Sequence, residues 1–203
     1  GNNLAHASTS GAAAGRAAAS YITDIAPPHP DRKKLAYLEE ITYAPLNRKE
    51  GIEPEQVILS VQEAIMPYDV LLLKEGNRMQ KALDKIDDIR ENQLPYLSAY
   101  DPHYLVVAHE ANSMVLHAEM QLRSDLMREE SRFTLREDFP YLDNENWLKW
   151  VLVRKDTKGT VFFTRDVPLE GLQVERKKYL NPVWQALKNR GLVKLERERI
   201  EWV

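Results

Sequence analysis

Residues 54–67 read Pro-Glu-Gln-Val-Ile-Leu-Ser-Val-Gln-Glu-Ala-Ile-Met-Pro, and this stretch sets the class of the fold. Its apolar residues recur three and four positions apart, as they do along one face of a helix. They are Val57, Ile58, Val61, Ala64 and Ile65. Pro54 suits the first turn because its missing N–H is not needed there, and Pro67 ends the segment. The stretch therefore predicts an amphipathic helix.

Two further helices are predicted after it. From Asp69, a candidate N-cap, to Pro95, apolar residues keep a seven-residue spacing. Gly76 lies inside this segment and would cost the helix about 1 kcal/mol relative to Ala. The third helix starts at Asp101 and keeps spacings of three and four from Leu105 onward. Because short connections favour antiparallel neighbours, the sequence predicts a mainly α fold built on an antiparallel three-helix bundle.

The part of the chain beyond Arg128 predicts β structure. Charged and aromatic residues first form what we expect to be an ordered loop up to Pro140. Apolar and polar residues then alternate over 147–154 and again over 160–164, with a turn sequence between them, which is typical of a β-hairpin. A last helix is predicted near 181–190, followed by Gly191 as its C′ residue and a short strand.

The amino-terminal segment is unusually small-sided. It opens Gly1-Asn2-Asn3-Leu4-Ala5 and continues mostly with Ala, Gly and Ser, so a helix is predicted from about residue 4 to 22, with Asn3 as its N-cap. Small side chains on nearly every face let another backbone or a flat ligand approach closely, and we expect a large neighbour against them. Residues 24–52 are rich in proline, which blocks helix continuation, and are predicted to be a linker or a surface arm.

Composition excludes several classes of function. Among 203 residues, 28 basic side chains face 31 acidic ones, and a net charge of -3 gives no general attraction to nucleic acid or anionic lipid. The absence of cysteine excludes disulfides, thiolate metal sites and cysteine nucleophiles, so redox chemistry would need a cofactor. No apolar run approaches the roughly 20 residues of a membrane span. The sequence predicts a cytoplasmic protein without direct membrane insertion, whose association with a membrane would come through a partner.

Candidate catalytic and metal-binding residues are few. His109-Glu110 lacks the second His of a zinc-binding pair because Ser113 occupies that position, so no metal site is expected. His103, His109 and His117 are predicted to form hydrogen bonds at helix ends or between helices. Glu129 and Glu130 could act as acid and base, but adjacent carboxylates do not set the required separation. They are expected to pair with guanidinium groups instead. The candidates are Arg128, Arg132 and Arg136. No glycine-rich phosphate loop is present, and no catalytic residue is predicted.

The carboxy-terminal tail is the one segment whose composition could suit nucleic acid. From Leu172 onward basic residues outnumber acidic ones, and a helix followed by Gly and a strand also occurs at the end of winged-helix domains. No helix-turn-helix precedes it, and the charges alternate over residues 196–199. This pattern favours a solvated surface with salt bridges, and no nucleic-acid partner is predicted.

Three segments in order carry a family resemblance. The first is the opening Gly1-Asn2-Asn3-Leu4-Ala5 with the later Gly15-Arg16-Ala17-Ala18, and the second is the helical region that includes residues 82–86. The third runs from Arg128-Glu129-Glu130-Ser131-Arg132 through residues 136–140 to 143–149. Together, over about residues 1 to 165, they resemble the C-terminal part of the fumarate reductase and succinate dehydrogenase flavoprotein family, with L-aspartate oxidase and adenylylsulfate reductase as relatives.

The resemblance implies an FAD-dependent oxidoreductase in the intact protein. It implies that the N-terminus of the first helix points at the flavin, with Asn2, Asn3 and Leu4 as cofactor contacts. Hydride would pass between a substrate carbon and the flavin, and electrons would move on to a partner such as an iron–sulfur subunit. The family's substrate-binding arginine is expected upstream of Gly1, so the fragment alone is expected to be inactive, to support the flavin domain and to dock partners.

The resemblance also implies a division of the chain. Residues 1–23 would be the terminal helix of an FAD-binding domain, 24–52 a linker, 53–140 the helical bundle with its charged loop, and 141–203 the hairpin and tail. The charged loop, residues 128–140, would be mainly structural, with a partner-contact surface as the alternative.

Three residues depart from the family pattern and leave the substrate open: Phe133, Leu135 and Lys74. The alternative reading from another class is a free-standing helical interaction or regulatory domain without cofactor, which would predict an amphipathic first helix. Ala12 to Ala19 argue against that reading.

Overall fold

The computed structural model describes residues 2–23, 25–26, 29–157 and 159–203, and it divides into two compact units, Gly1–Thr42 and Tyr43–Val203. Helix α1 (Asn2–Thr23) confirms the helix predicted from the Ala-rich opening. Its residues are all exposed, so propensity rather than packing accounts for the helix. The prediction of Asn3 as N-cap is wrong, because the helix already includes Asn2. Gly1 lies outside the described residues.

The segment predicted as a linker or arm contains a second helix, α2 (Arg32–Asn47). The Asp31 carboxylate accepts hydrogen bonds from the N–H groups of Lys33 at 2.9 Å and Lys34 at 3.3 Å and so caps its start. Pro45 stands inside the helix, where its carbonyl accepts the Ala99 N–H at 2.9 Å. The expectation that proline prevents a helix here is wrong, since Pro45 falls in the last turn. Asp24, Pro27 and Pro28 of this segment lie outside the described residues.

Three helices form the predicted bundle: α3 (Pro54–Ile65), α5 (Gly76–Asn92) and α6 (Pro102–Met127). The mainly α fold class is confirmed. The start of the second helix is corrected, because the short α4 (Tyr68–Leu71) and strand β1 (Leu73–Lys74) precede it. The Glu75 carboxylate caps α5, so Gly76 lies in the first turn, where the interior penalty does not apply. The predicted start of α6 is confirmed, and Asp101 caps the helix by accepting the Tyr104 N–H at 2.9 Å.

The bundle core consists of the apolar faces predicted from spacing. Val57 and Val61 of α3, Met79 and Ile86 of α5, and Ala108 of α6 are all fully buried. The buried face of α6 is rich in alanine, which lets the backbones of α3 and α5 come close. A 3-10 turn, Leu94–Tyr96, links α5 to α6.

The strands of the described residues form four two-stranded sheets. Strand β1 pairs in parallel with β2 (Leu135–Arg136), and β3 (Tyr141–Asp143) pairs antiparallel with β6 (Lys178–Leu180). The predicted hairpin is confirmed as β4 (Lys149–Asp156) with β5 (Gly159–Asp166), although Lys158 of its turn lies outside the described residues.

The C-terminal tail, defined as residues 178–203, also follows its prediction. Helix α7 (Pro182–Asn189) is capped by Asn181, whose side-chain oxygen accepts the Val183 N–H at 2.9 Å. Gly191 has a φ of 70°, as a C′ residue requires. Strands β7 (Val193–Glu196) and β8 (Arg199–Trp202) then form a terminal hairpin.

Candidate functional site

The residues predicted to contact a cofactor lie in the first turn of α1. Asn2, Asn3 and Leu4 are exposed, and the Leu4 side chain is 79% accessible. The first N–H groups of a helix have no partner within the helix and can therefore bind negative charge. A Cβ atom added at Gly11 or Gly15 would meet no heavy atom within 4 Å. The surface of α1 is thus small-sided and open to a close neighbour.

The charged loop, residues 128–140, is built around a buried carboxylate. The Glu130 side chain is fully buried and accepts hydrogen bonds from Arg128 Nη1 at 2.5 Å and Arg132 Nε at 2.8 Å. It also accepts the Asp143 backbone N–H at 3.1 Å. Glu130 therefore pairs with arginines as predicted. Glu129, by contrast, is exposed and forms no ion pair within the described part of the chain.

A second buried pair joins the loop to α5. Arg136, which is 3% exposed, donates from Nε and Nη2 to the two Asp138 carboxylate oxygens, each at 2.7 Å. Asp138 Oδ2 also accepts the Gly76 N–H at 2.9 Å, at the start of the helix. Burial alone would raise the pKa of Asp138, but the hydrogen bonds and charge of Arg136 together with the Gly76 N–H outweigh it and lower that pKa. Asp138 is therefore held as a structural carboxylate.

The remaining nitrogen of Arg136 reaches the third helix. Its Nη1 donates to the Asp125 carbonyl at 2.6 Å and to the Arg128 carbonyl at 3.0 Å, which fixes the end of α6. The Lys74 side chain, only 2% exposed, pairs with the Asp125 carboxylate beside it. The loop thus connects α5, α6 and β1 through charge-assisted hydrogen bonds.

Ser131 connects the loop to the tail. Its buried hydroxyl accepts the Arg136 N–H at 2.8 Å and the Trp184 indole N–H at 3.2 Å, and it lies 3.0 Å from the Phe139 carbonyl. The Ser131 carbonyl accepts from Asn181 Nδ2 at 2.9 Å. Trp184 is completely buried, with Val193 packed in the same apolar cluster. The tail is therefore part of the same folded unit and not an appended arm.

Glu137 makes a second connection to the tail. Its carboxylate accepts from Arg78 Nη2 of α5 at 2.5 Å and from the Trp202 indole N–H at 2.6 Å. The Glu137 carbonyl accepts the Ile200 N–H at 2.8 Å, so β8 is attached along its backbone as well. These contacts join helix, loop and tail, and they make the structural interpretation of the charged loop the better supported one.

The cleft between the charged loop and the tail has a volume of about 480 Å³. Its charged groups are of both signs: Glu129, Asp138, Asp143, Lys178, Arg197, Glu198 and Arg199. Several of these groups have bonding partners within the protein: Asp138 with Arg136, Asp143 with Asn146, and Arg199 with Glu75 at 3.0 Å. These contacts stabilise the fold around the cleft.

The His117 contact differs from the helix-end or interhelical bond predicted for it. His117 Nδ1 lies 2.8 Å from the Ser113 carbonyl one turn earlier on the same helix, α6. The described residues contain no group of three or more His, Asp or Glu side chains that could hold a metal ion.

Two elements of the buried network were missed from the sequence. Neither Ser131 nor Trp184 was assigned a contact, although Asn181-Pro182 ahead of an apolar helix face marks a capped helix start that had to pack against something. No spacing in the sequence indicates that the partner is a serine fifty residues earlier.

The chain belongs to the family described as fumarate reductase flavoprotein C-term, whose model matches residues 61–179, more than half of its length. That match begins inside α3 and contains α5, α6, the charged loop and the hairpin. The match confirms the resemblance, noted from the sequence, to the C-terminal part of a fumarate reductase or succinate dehydrogenase flavoprotein.

Solved structures of that kind share the fold. A variant of FrdA from E. coli quinol fumarate reductase is 22% identical, with a TM-score of 0.59 over 69% of this chain and 26% of its own. The apo Sdh1 complex of Mycobacterium smegmatis is 20% identical, with a TM-score of 0.63 over 79% of this chain and 28% of its own. The same Sdh1 in complex with UQ1 is also 20% identical, with a TM-score of 0.63 over 77% of this chain and 27% of its own.

The chain therefore spans only about a quarter of the length of these structures. No curated protein matches its sequence. Within the described residues, no helix combines the length and the apolar character needed to cross a bilayer.

Proposed function

We propose that the chain is the C-terminal domain of an FAD-dependent oxidoreductase, in which it supports the flavin-carrying portion and helps to dock a partner subunit. Membership of a flavoprotein family supports the cofactor class. The observation that carries the proposal within this chain is α1, a helix of 22 residues with no buried residue and mostly Ala, Gly and Ser side chains. Such a helix is suited to packing against a larger body that approaches its backbone closely.

The residues of α1 fit a flavin dinucleotide. The exposed first turn presents helical N–H groups and the positive end of the helix dipole, which favour negative charge. Asn2 and Asn3 add side-chain amides that both donate and accept hydrogen bonds, and Leu4 offers an apolar surface. When bound, FAD would accept or deliver a hydride. The part of Asn2, Asn3 and Leu4 is to hold and orient the cofactor, and no catalytic role is assigned to this chain.

The bundle and the charged loop would provide a rigid support. The three buried ion pairs, at Glu130, Asp138 and Asp125, hold α5, α6 and the hairpin base in one arrangement. An iron–sulfur subunit is the class of partner that would take electrons from such a flavoprotein. Association with a membrane would come through that partner. Without the flavin-carrying portion, the chain should have no activity.

The rival function is a free-standing interaction domain without cofactor. It gives no physical reason for a helix whose faces all bear small side chains, since a docking helix normally carries an apolar stripe. The two proposals differ in what surrounds α1 in the full-length gene product.

The test is to enlarge the small side chains of α1 in the full-length gene product and to measure retained FAD. Gly15→Leu fills space that is open in this chain and replaces a weak helix former, so the isolated chain should keep its fold and its helicity by far-UV circular dichroism should not fall. In the full-length protein the added bulk should lower FAD content and thermal stability. Leu59→Ala, at an exposed position of α3, is the control and should leave FAD content unchanged. If Gly15→Leu leaves FAD content and stability at the wild-type values, the proposed role of α1 is wrong.

A further inference from the structure

The hairpin β4–β5 has one face that combines tryptophan, arginine and aliphatic side chains. In an antiparallel pair, directly opposed residues point to the same face. Three opposed pairs define what we call the Trp150 face: Trp150 with Arg165, Leu152 with Phe163, and Arg154 with Val161.

The opposite face of the hairpin is mixed. Its centre carries Val151 opposite Thr164 and Val153 opposite Phe162, and its two ends carry Lys149 opposite Asp166 and Lys155 opposite Thr160. A large apolar side chain is exposed on each face, Trp150 at 46% and Val153 at 42%. Because a two-stranded hairpin is marginally stable alone and a solvated face is normally polar, the more apolar Trp150 face is suited to being covered.

The contacts that hold the hairpin are concentrated at its base. Arg128 Nη2 donates to the Lys149 carbonyl at 2.7 Å, while the bond from the Val167 N–H to the Leu148 carbonyl at 3.0 Å extends the pairing of the two strands by one step. Strand β4 also packs against α6. These contacts fix the direction of the hairpin, while Trp150 stays almost half exposed.

The charges of the Trp150 face indicate what would cover it. The Arg154 guanidinium lies 5.4 Å from the Phe163 ring and is 4.0 Å from Asp156 in an exposed pair. Arg165 is exposed and has no hydrogen-bond or ion-pair partner in the described ranges. Trp and Arg are enriched in the residues that dominate binding energy at protein interfaces. The covering surface should therefore be apolar and carry carboxylates that receive the guanidinium groups.

We propose that the Trp150 face docks onto the flavin-carrying portion of the same protein. The hairpin lies within residues 61–179, the part matched by the family, so its cover should be something that the members of a flavoprotein family have in common. This chain also covers only 26% to 28% of the related structures, which leaves most of such a molecule outside it. The inference rests on the proposed function, because it requires that portion to exist.

The test is site-specific photo-crosslinking in the full-length gene product. The photoreactive residue p-benzoylphenylalanine replaces Trp150, and in a control protein it replaces Tyr179, which is 45% exposed on β6. Mass spectrometry should find crosslinks from position 150 to peptides of the flavin-carrying portion, and the control should not give those peptides. Crosslinks to a second copy or to another polypeptide, or no crosslink at all, would overturn the inference.

A charge reversal gives a second, independent measurement. Arg165→Glu lies on the Trp150 face, and Lys155→Glu makes the same change on the opposite face, where it faces Thr160. Arg165→Glu should lower the crosslink yield from position 150 about tenfold, the change that about 1.4 kcal/mol produces, and Lys155→Glu should leave it unchanged. Equal yields in the two variants would overturn the docking face.

FAD content measured on the same preparations separates the two proposals. A protein that retains FAD but gives no crosslink from position 150 contradicts only the docking face. A gene product that neither binds FAD nor contains a flavin-carrying portion contradicts the proposed function itself.

Discussion

Replacing Asp138 with Ala removes one of the links between the charged loop and α5, and leaves the bond between Glu137 and Arg78 in place. The Arg136 guanidinium, 3% exposed, would lose both of its carboxylate bonds, and the Gly76 N–H would lose its acceptor. Removing one partner of a buried ion pair costs about 3–5 kcal/mol, because the other charge stays buried without compensation. We expect Asp138→Ala to lower the free energy of unfolding by about that amount.

Urea denaturation followed by tryptophan fluorescence measures this change. With an m-value of about 2 kcal/mol/M, a loss of about 4 kcal/mol moves the midpoint down by about 2 M urea. Asp84→Ala is the matched control, since that carboxylate sits on the exposed side of α5 and accepts a bond from Gln80 at 2.8 Å. The control should change stability by less than about 0.5 kcal/mol. If Asp138→Ala moved the midpoint no further than Asp84→Ala, the loop would not be held to the helix by this pair.

Three further predictions concern the same fold. Because the pKa of Asp138 is lowered in the folded protein, the stability that it contributes is present above its unfolded pKa of about 3.9 and is lost as the pH falls through the lower folded value. The difference in free energy of unfolding between the wild type and Asp138→Asn should therefore be constant at neutral pH and shrink below about pH 4. A difference that stays constant down to about pH 2 would contradict the stabilising role of the ionised Asp138 carboxylate. Trp184→Ala should lower the free energy of unfolding by about 3–5 kcal/mol. Trp184→Phe keeps an aromatic ring but loses the indole bond to Ser131, and it should lower the free energy of unfolding by less. Equal losses for the two variants in urea denaturation would contradict the packing of Trp184. Gly51→Ala should destabilise by about 1–3 kcal/mol because its Cβ would lie 2.4 Å from the Tyr96 carbonyl oxygen, whereas Gly11→Ala should raise helicity by circular dichroism; a neutral Gly51→Ala would refute the close approach.

The helices could be predicted because their determinants are local. Val57 and Val61 lie one turn apart on the face that is buried, and Asp101 before Pro102 marked the start of α6. The hairpin and α7 were predictable for the same reason, since alternation and a capping Asn are read within a few residues. Where two signals competed, the prediction failed. Asp69 is a residue type suited to an N-cap, but the helix α5 starts at Gly76 and is capped by Glu75. Strand β1, which lies between Asp69 and Glu75, pairs with β2.

The buried network could be predicted only in part. Glu130 was expected to pair with nearby arginines because the groups are adjacent in sequence, and it does so. The bonds from Trp184 and Asn181 to Ser131 join residues more than forty positions apart, and such contacts depend on the tertiary arrangement and leave no periodic signal. The helix at Arg32–Asn47 was missed because a proline-rich composition was given more weight than the propensity of the residues between the prolines.

The assignment to a flavoprotein family has a physical counterpart in two surfaces. Helix α1 exposes small side chains on all sides, and the hairpin exposes Trp150 and Val153 on opposite faces. Under the proposals, each of these surfaces contacts the flavin-carrying portion of the protein. The buried ion pairs of the charged loop explain why the domain could serve as a rigid support for that body.

The most direct measurement is the FAD stoichiometry of the full-length gene product, purified without added flavin and then reconstituted with FAD. The account predicts about one FAD per polypeptide, with absorbance in the flavin bands that is bleached on reduction. A full-length protein that remains colourless and has no measurable affinity for FAD would contradict the central claim that this chain is the C-terminal part of a flavoenzyme.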